Sequence, residues 1–348
     1  MNPEISRVIT ILRFPLIVGV VFIHNDISPD GIENSQLAIF SLIKLLFTRV
    51  LPVFCVPMFF IIAGYLFFAK CEKASVQFFA KQYKKRFKSL VIPYVFWNTV
   101  VIAIFWALHK FAPTLINPDF ENVANYPPPQ LLNCFWKGSG GYPIAYQFWF
   151  VRELIVSVAL SPIVYLFLAK RKNKLLNIFA GVLMGIYTIA YLTQEKTYIP
   201  IQYFFALGAF FALHKLDFVL WSKRLFGYAL PLAIAICCLK LANYDIKVLD
   251  GIYVYSACIV SIAIASYFKS AQMSKPAESS FFIYAYHGIF ILLVDKSITS
   301  LLHCKNEFLW CVIFFVLPSL IIVTGYCIYN ILSRLLPRFT AIITGGRC

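Results

Sequence analysis

Ten apolar runs, spread along nearly all of the 348 residues, constrain this chain more than any other feature. They fall at roughly 8–25, 48–69, 90–110, 147–169, 175–193, 198–214, 225–242, 251–268, 280–300 and 308–332. As helices, such runs can cross a hydrocarbon layer about 30 Å thick. Backbone polar groups must be satisfied inside a bilayer, which leaves helical bundles and closed barrels. The runs are continuous and do not alternate as barrel strands do, so helices are expected. Only 13% of the residues are charged, against about a quarter in a soluble domain. The expected fold class is an all-α integral membrane protein, with about ten transmembrane helices in one bundle. Residues 1–348 read as a single polytopic membrane domain with neither a linker nor an internal repeat.

A formal net charge of +16 invites a nucleic-acid reading, but the placement of the charge removes it. With the N-terminus inside, the inner segments hold 20 Lys and Arg, the outer segments hold 9, and Arg13 and Arg152 lie within spans. This is the positive-inside pattern; it puts both termini in the cytoplasm and names the lipid bilayer, not nucleic acid, as partner. The ten cysteines form no CxxC or zinc spacing, so neither a disulfide framework nor a metal is expected. The first run leads into His24-Asn25-Asp26 and not into a small-residue cleavage site, so it reads as a retained first span. The stretch 36–50 either lies along the membrane surface or extends the second span, and Pro52 and Pro57 interrupt the run beyond it. The outer segment 111–146 carries Pro127–Pro129 and a Gly138–Pro143 cluster, the composition of an ordered but irregular loop. It reads equally as a lid, an acceptor platform or a plain connector.

Within the first span stand Arg13 and His24, eleven residues apart. At about 100° per residue both leave one helix face, separated by roughly 16 Å along the axis. Ionisable residues in a lipid span are costly and face a cavity, a partner or a reaction; the plainer reading is snorkelling near the two membrane surfaces. An imidazole such as His24 can take a proton from a hydroxyl as that oxygen attacks a carbonyl. Glu153, about two turns into the fourth span, is the candidate carboxylate to orient His24, although neighbouring Arg152 can equally neutralise it. Arg13 suits an anionic ligand group or a developing oxyanion, and Pro15 is expected to bend the helix beside it. Tyr284 and His287 lie one turn apart early in the ninth span. Lys84, Lys85, Arg86 and Lys88 read either as topology or as a phosphate site at a helix entrance. Ala63-Gly64 permits close helix packing. His109, His214 and His303 fall at span ends.

These pieces, in this order, resemble the bacterial membrane acyltransferase-3 family, whose members O-acylate cell-surface glycans. Arg13 and His24 match its Arg-x10-His pattern. Pro57-Met-Phe-Phe through Gly64-Tyr65 is similar to its proline-aromatic-glycine motif, and Phe148-Trp-Phe-Val-Arg152 to its Trp-Phe motif. Lys85-Arg-Phe-Lys88 before Pro93-Tyr94 resembles its basic segment, with lysines in place of arginines. Phe204–Gly208 and Tyr284-Ala-Tyr-His287 look like its later landmarks. The likeness runs from about residue 6 to 330.

The resemblance implies an acyl-CoA donor, usually acetyl-CoA, entering from the cytoplasm, and a glycan acceptor. Donor binding would fall to Lys84, Lys85, Arg86, Lys88, Tyr284 and His287. Catalysis would fall to His24 as general base, with Arg13 and Glu153, and the protein would sit in the bacterial inner membrane. The competing class is a transporter or flippase of a lipid-linked glycan or small anion; a third is an inactive scaffold. The sequence leaves open the glycan, the acyl group, direct transfer against an acyl-enzyme, and a homo-oligomer.

Overall fold

A computed structural model of the chain describes residues 2–28, 37–112, 122–138, 140–193, 201–244, 246–269, 274–301 and 306–346, with the side chains of residues 274 and 292–301 left aside. His303, Cys304, Cys348, Ser139, residues 113–121 of the long loop and the first residues of the expected sixth span lie outside the described residues.

The described chain is helical and contains no strand. In order the helices are α1 (Pro3–Ile23), α2 (Ala38–Leu45), α3 (Cys55–Phe68), α4 (Val76–Arg86), α5 (Ile92–Phe111), α6 (Pro128–Asn133), α7 (Trp149–Ala159) and α8 (Ser161–Leu168). They continue with α9 (Lys174–Thr193), α10 (Gln202–Leu213), α11 (Phe218–Leu241), α12 (Lys247–Ser266), α13 (Ser274–Leu301), α14 (Glu307–Leu335) and α15 (Pro337–Ile343).

Seven helical stretches are long and apolar enough to cross a membrane: Pro3–Ile23, Ala38–Phe68, Val76–Phe111, Lys174–Thr193, Phe218–Leu241, Lys247–Ser266 and Glu307–Leu335. Tyr146–Ala159 and Ser161–Leu168 pass the same test only as a pair, bent by 55° between them, either a broken span, which would make eight, or a re-entrant loop. Pro162 explains the bend: it has no N–H to give the carbonyl of Val158, and its ring crowds that turn. The other two expected runs are α10, only 12 residues long, and α13, helical over 28 residues.

The stretch before Pro52 extends the second span and does not end it. A π-helical turn, Leu46–Val50, and a 3-10 turn, Leu51–Phe54, join α2 to α3. Pro52 and Pro57 fall in first turns, where a missing N–H costs little. The same device recurs at Phe87–Val91, a π turn that passes α4 into α5 just before Pro93. Helix α1 runs as one element through Pro15.

Backbone contacts divide the chain into two compact units, each drawn from three segments: residues 1–20, 45–84 and 156–277 in one, and 21–44, 85–155 and 278–348 in the other. In the first unit, α3 and α10 touch backbone to backbone. A Cβ added at Gly64 would lie 1.9 Å from the Phe205 carbonyl oxygen, and one at Gly208 would lie 1.9 Å from that of Ile61. Only glycine fits at both positions. The approach brings Cα–H groups against carbonyls and lets Phe67 meet Phe205, with ring centres 6.0 Å apart. Gly19 leaves room for the Cys55 side chain, whose Sγ would lie 2.5 Å from an added Cβ, and so seats α1 on the start of α3. Ala233 and Ile236 of α11 pack with Tyr253 and Ala257 of α12. Charge pairs mark helix ends: Lys223 with Glu4 at 2.5 Å, and Lys240 with Asp250.

In the second unit, Phe314 of α14 meets Phe22 at 5.9 Å and Phe40 at 6.2 Å. Trp97 of α5 donates its indole N–H to the carbonyl of Ile343 at 3.0 Å, which ties α15 to α5. Phe148 packs against Tyr94 and Tyr284. Polar side chains are buried here too, and they compose the site.

Candidate functional site

The site starts where α1 stops. His24 is the first residue after the helix, and the next two residues fix its backbone. Asn25, 2% exposed, sends its side-chain amide to the Phe314 carbonyl at 2.9 Å. The Asp26 N–H returns to the His24 carbonyl at 3.0 Å, and its carboxylate pairs with Lys44 at 2.8 Å. Both neighbours therefore spend their polar groups elsewhere, as their positions around the helix suggest. The His24 imidazole is half-buried. It lies edge-on to Tyr146, with ring centres 5.1 Å apart, and 5.3 Å from the ring of His287. It has no hydrogen-bond partner among the described residues.

His287 is wholly buried. Its Nδ1 lies 2.5 Å from the carbonyl oxygen of Tyr284. A carbonyl only accepts, so Nδ1 carries the hydrogen and Nε2 of the neutral ring keeps a lone pair. That Nε2 is buried and has no partner among the described residues. Tyr284 thus meets His287 through its backbone carbonyl and ring to ring, with centres 5.8 Å apart. Its phenol turns instead to the carbonyl of Gln147, donating at 2.5 Å, and its ring packs on Phe148 and Phe150.

Gln147, 1% exposed, lies flat on α13. Its amide nitrogen donates to the Ala285 carbonyl at 3.1 Å. A Cβ at Gly288 would sit 2.3 Å from its Cδ, so the glycine makes room for it. Its Oε1 is buried and, among the described residues, has no donor. Asn98, also buried, uses both ends of its amide: it accepts from the Ala145 N–H at 3.2 Å and donates to the Tyr94 carbonyl at 2.8 Å.

Glu153 pairs with Arg152, the Nε and Nη2 atoms each lying 2.9 Å from Oε1. The same guanidinium donates to the carbonyls of Trp136 at 2.6 Å and Gly141 at 3.2 Å and lies over the Trp136 ring. The pair therefore pins the second half of the long loop. Arg13 is half-buried within α1 and has no hydrogen bond or ion pair to a described residue. Lys84 and Lys85 stand exposed at the end of α4, Arg86 is half-buried, and Lys88 is exposed on the π turn. None of the three lysines is ion-paired among the described residues. His109 and His214 bond backbone carbonyls of Phe105 and Leu168.

The structure thus gathers His24, Tyr284 and His287 into one cluster and gives Glu153 to Arg152. Sequence reasoning placed Asn25 away from the His24 face, as found, and did not single out Asn98, Tyr146 or Gln147. Asn98 and Gln147 had a legible signal, since an amide inside an apolar run must find partners or a ligand. Tyr146 had none, because its ring meets His24 only in three dimensions. Chemically, the cluster offers two imidazoles and a carboxamide oxygen; in the neutral rings, as in the amide, an acceptor atom is available. That is the equipment to hold and deprotonate a hydroxyl; it carries no fixed charge for binding a phosphate.

A family model described as an acyltransferase domain, acyltransferase-3, matches residues 7–330. No curated protein and no solved structure matches the chain.

Proposed function

The chain belongs to the acyltransferase-3 family, and from that premise we propose that it moves an acyl group, acetyl foremost, from acyl-CoA to a hydroxyl of a cell-surface or lipid-linked glycan. It is a multi-pass membrane protein by its apolar helices and its family. The proposed arrangement is ten crossings with both termini in the cytoplasm of a bacterial inner membrane. The charge asymmetry supports this, with α10 and α13 as the two crossings beyond the eight.

One observation carries the reading: an imidazole at the end of a span, His24, is held by Asn25 and Asp26 through the backbone while its own nitrogens stay free of described partners. Such a ring is poised to accept a proton. In the proposed reaction the acceptor hydroxyl loses its proton to His24 as its oxygen attacks the thioester carbonyl. The C–S bond then breaks, and the proton passes to the departing CoA thiolate. Arg13, a cation without a described partner on the same helix, stabilises charge on the donor or at the developing oxyanion. Lys84, Lys85, Arg86 and Lys88 receive the nucleotide phosphates. Glu153 serves through Arg152, holding the loop above the fourth span.

Membranes bearing the protein, supplied with labelled acetyl-CoA, should esterify envelope glycan, and His24→Ala should abolish the label. Undiminished incorporation removes His24 from the mechanism. The bent Tyr146–Leu168 span is the feature that a transporter reading would use. A new ester on the glycan, seen by mass spectrometry, separates the two.

A further inference from the structure

His287 and Gln147 pose a separate problem of hydrogen-bond accounting. Each is at most 1% exposed. Each has one polar atom spent on the backbone of α13, at Tyr284 and Ala285. Each is left with a buried acceptor, Nε2 and Oε1, that no described donor meets. Leaving a buried acceptor unsatisfied is unfavourable, and satisfied polar groups are the rule in folded proteins. Both atoms accept and neither donates, so the missing partner must be a donor. A carboxylate offers only lone pairs, and for it or a phosphate the cost of burying a negative charge beside two neutral acceptors is uncompensated. An ammonium would donate, but neither side chain offers the negative charge that would offset its desolvation. A neutral hydroxyl fits.

Resting on the acyl-transfer reading above, we propose that His287 Nε2 and Gln147 Oε1 form the acceptor subsite, receiving hydrogen bonds from hydroxyls of a neutral sugar or polyol. The ring of His24, 5.3 Å from that of His287, takes the proton of the reacting hydroxyl. His287 is thereby an acceptor-binding residue, in place of the donor role suggested by its motif. It holds hydroxyls and takes no proton itself. A backbone carbonyl fixes its tautomer, so Nε2 of the neutral ring presents a lone pair and the ring needs no carboxylate to orient it.

Three substitutions separate this role from a packing role. In His287→Asn the amide nitrogen stands near the position of Nδ1 and can still donate to Tyr284, but the Nε2 acceptor is gone. In His287→Gln the amide oxygen reaches the position of Nε2. Gln147→Met keeps length and volume and loses Oε1. The assay is transfer from labelled acetyl-CoA to the glycan present in membrane vesicles, normalised to folded protein and with the donor KM measured alongside. The expected result is activity within about threefold of wild type for His287→Gln, a loss of about thirtyfold or more for His287→Asn, and about tenfold for Gln147→Met. The donor KM stays unchanged in all three. Asparagine rescuing as well as glutamine, glutamine failing as badly as asparagine, or a rise confined to the donor KM overturns the assignment. Wild-type vesicles that transfer no label overturn the acyl-transfer reading itself and this subsite with it. Active wild type with the wrong rescue pattern overturns the subsite alone.

Discussion

The α3–α10 crossing and the His24–His287 cluster both depend on close approach, and they use it to opposite ends. At the crossing, two glycines let two backbones meet, with no room for a Cβ at either. At the cluster, Gly288 lets Gln147 lie against its helix, yet acceptor atoms remain without described donors. The first region is closed by two backbones in contact; the second keeps buried acceptors that no described donor meets, and under the proposed subsite an acceptor hydroxyl fills them. In a membrane protein, where burial from water separates helices from lipid poorly, this difference is a better guide to function than burial alone.

The comparison can be broken first at its strongest point. His24→Ala should lower transfer by about 10²–10⁴-fold, the usual worth of a positioned general base, with the melting temperature of the solubilised protein unchanged. An equal fall in folded protein would make His24 a structural residue like the glycines.

Leucine at Gly64 or Gly208 should do the reverse. The side chain meets a carbonyl that cannot yield, so folded yield collapses, at a cost above the roughly 1–3 kcal/mol of ordinary overpacking. What protein does fold should transfer at the normal rate per molecule. Normal yield from Gly208→Leu would mean that the crossing is looser than the contacts require.

Neutralising Lys85, Arg86 and Lys88 together should raise the donor KM by about tenfold and leave the maximal rate unchanged. An unchanged KM in correctly inserted protein returns these residues to topology. The smallest effect is expected at the ion pair. Glu153→Gln should lower stability by about 1 kcal/mol, in the range for partly exposed pairs, while transfer stays within threefold. A larger loss of rate, with a shifted pH profile, would instead make Glu153 the group that orients His24.

Much of the frame was legible because lipid imposes a simple rule on helix length and polarity. Ala63-Gly64 announced a close helix contact, and the family motifs included Gly208, but nothing local says that the two glycines face each other. Pro162 lay in plain sight, and its 55° bend needed the backbone. The π turns at Leu46–Val50 and Phe87–Val91 leave no mark in composition, so the run 36–50 could be read either as a surface helix or as part of a span. In the site, His24 and His287 stood out as ionisable residues in apolar surroundings. Their adjacency did not, because 263 positions separate them in sequence. Glu153 pairs with the guanidinium of the next residue, Arg152, a pairing that was as open on paper as the orienting role toward His24.

Helix α1 passes through Pro15 as one element, and that continuity has a consequence for substrate choice. A single helix that carries a cation at Arg13 and ends at an imidazole holds the two roughly 16 Å apart along its axis. If the proposed transfer holds, that spacing would act as a ruler from the donor's charged part to its thioester. Substitutions around His24 would then change the range of acyl groups accepted, while those around Arg13 would change donor affinity.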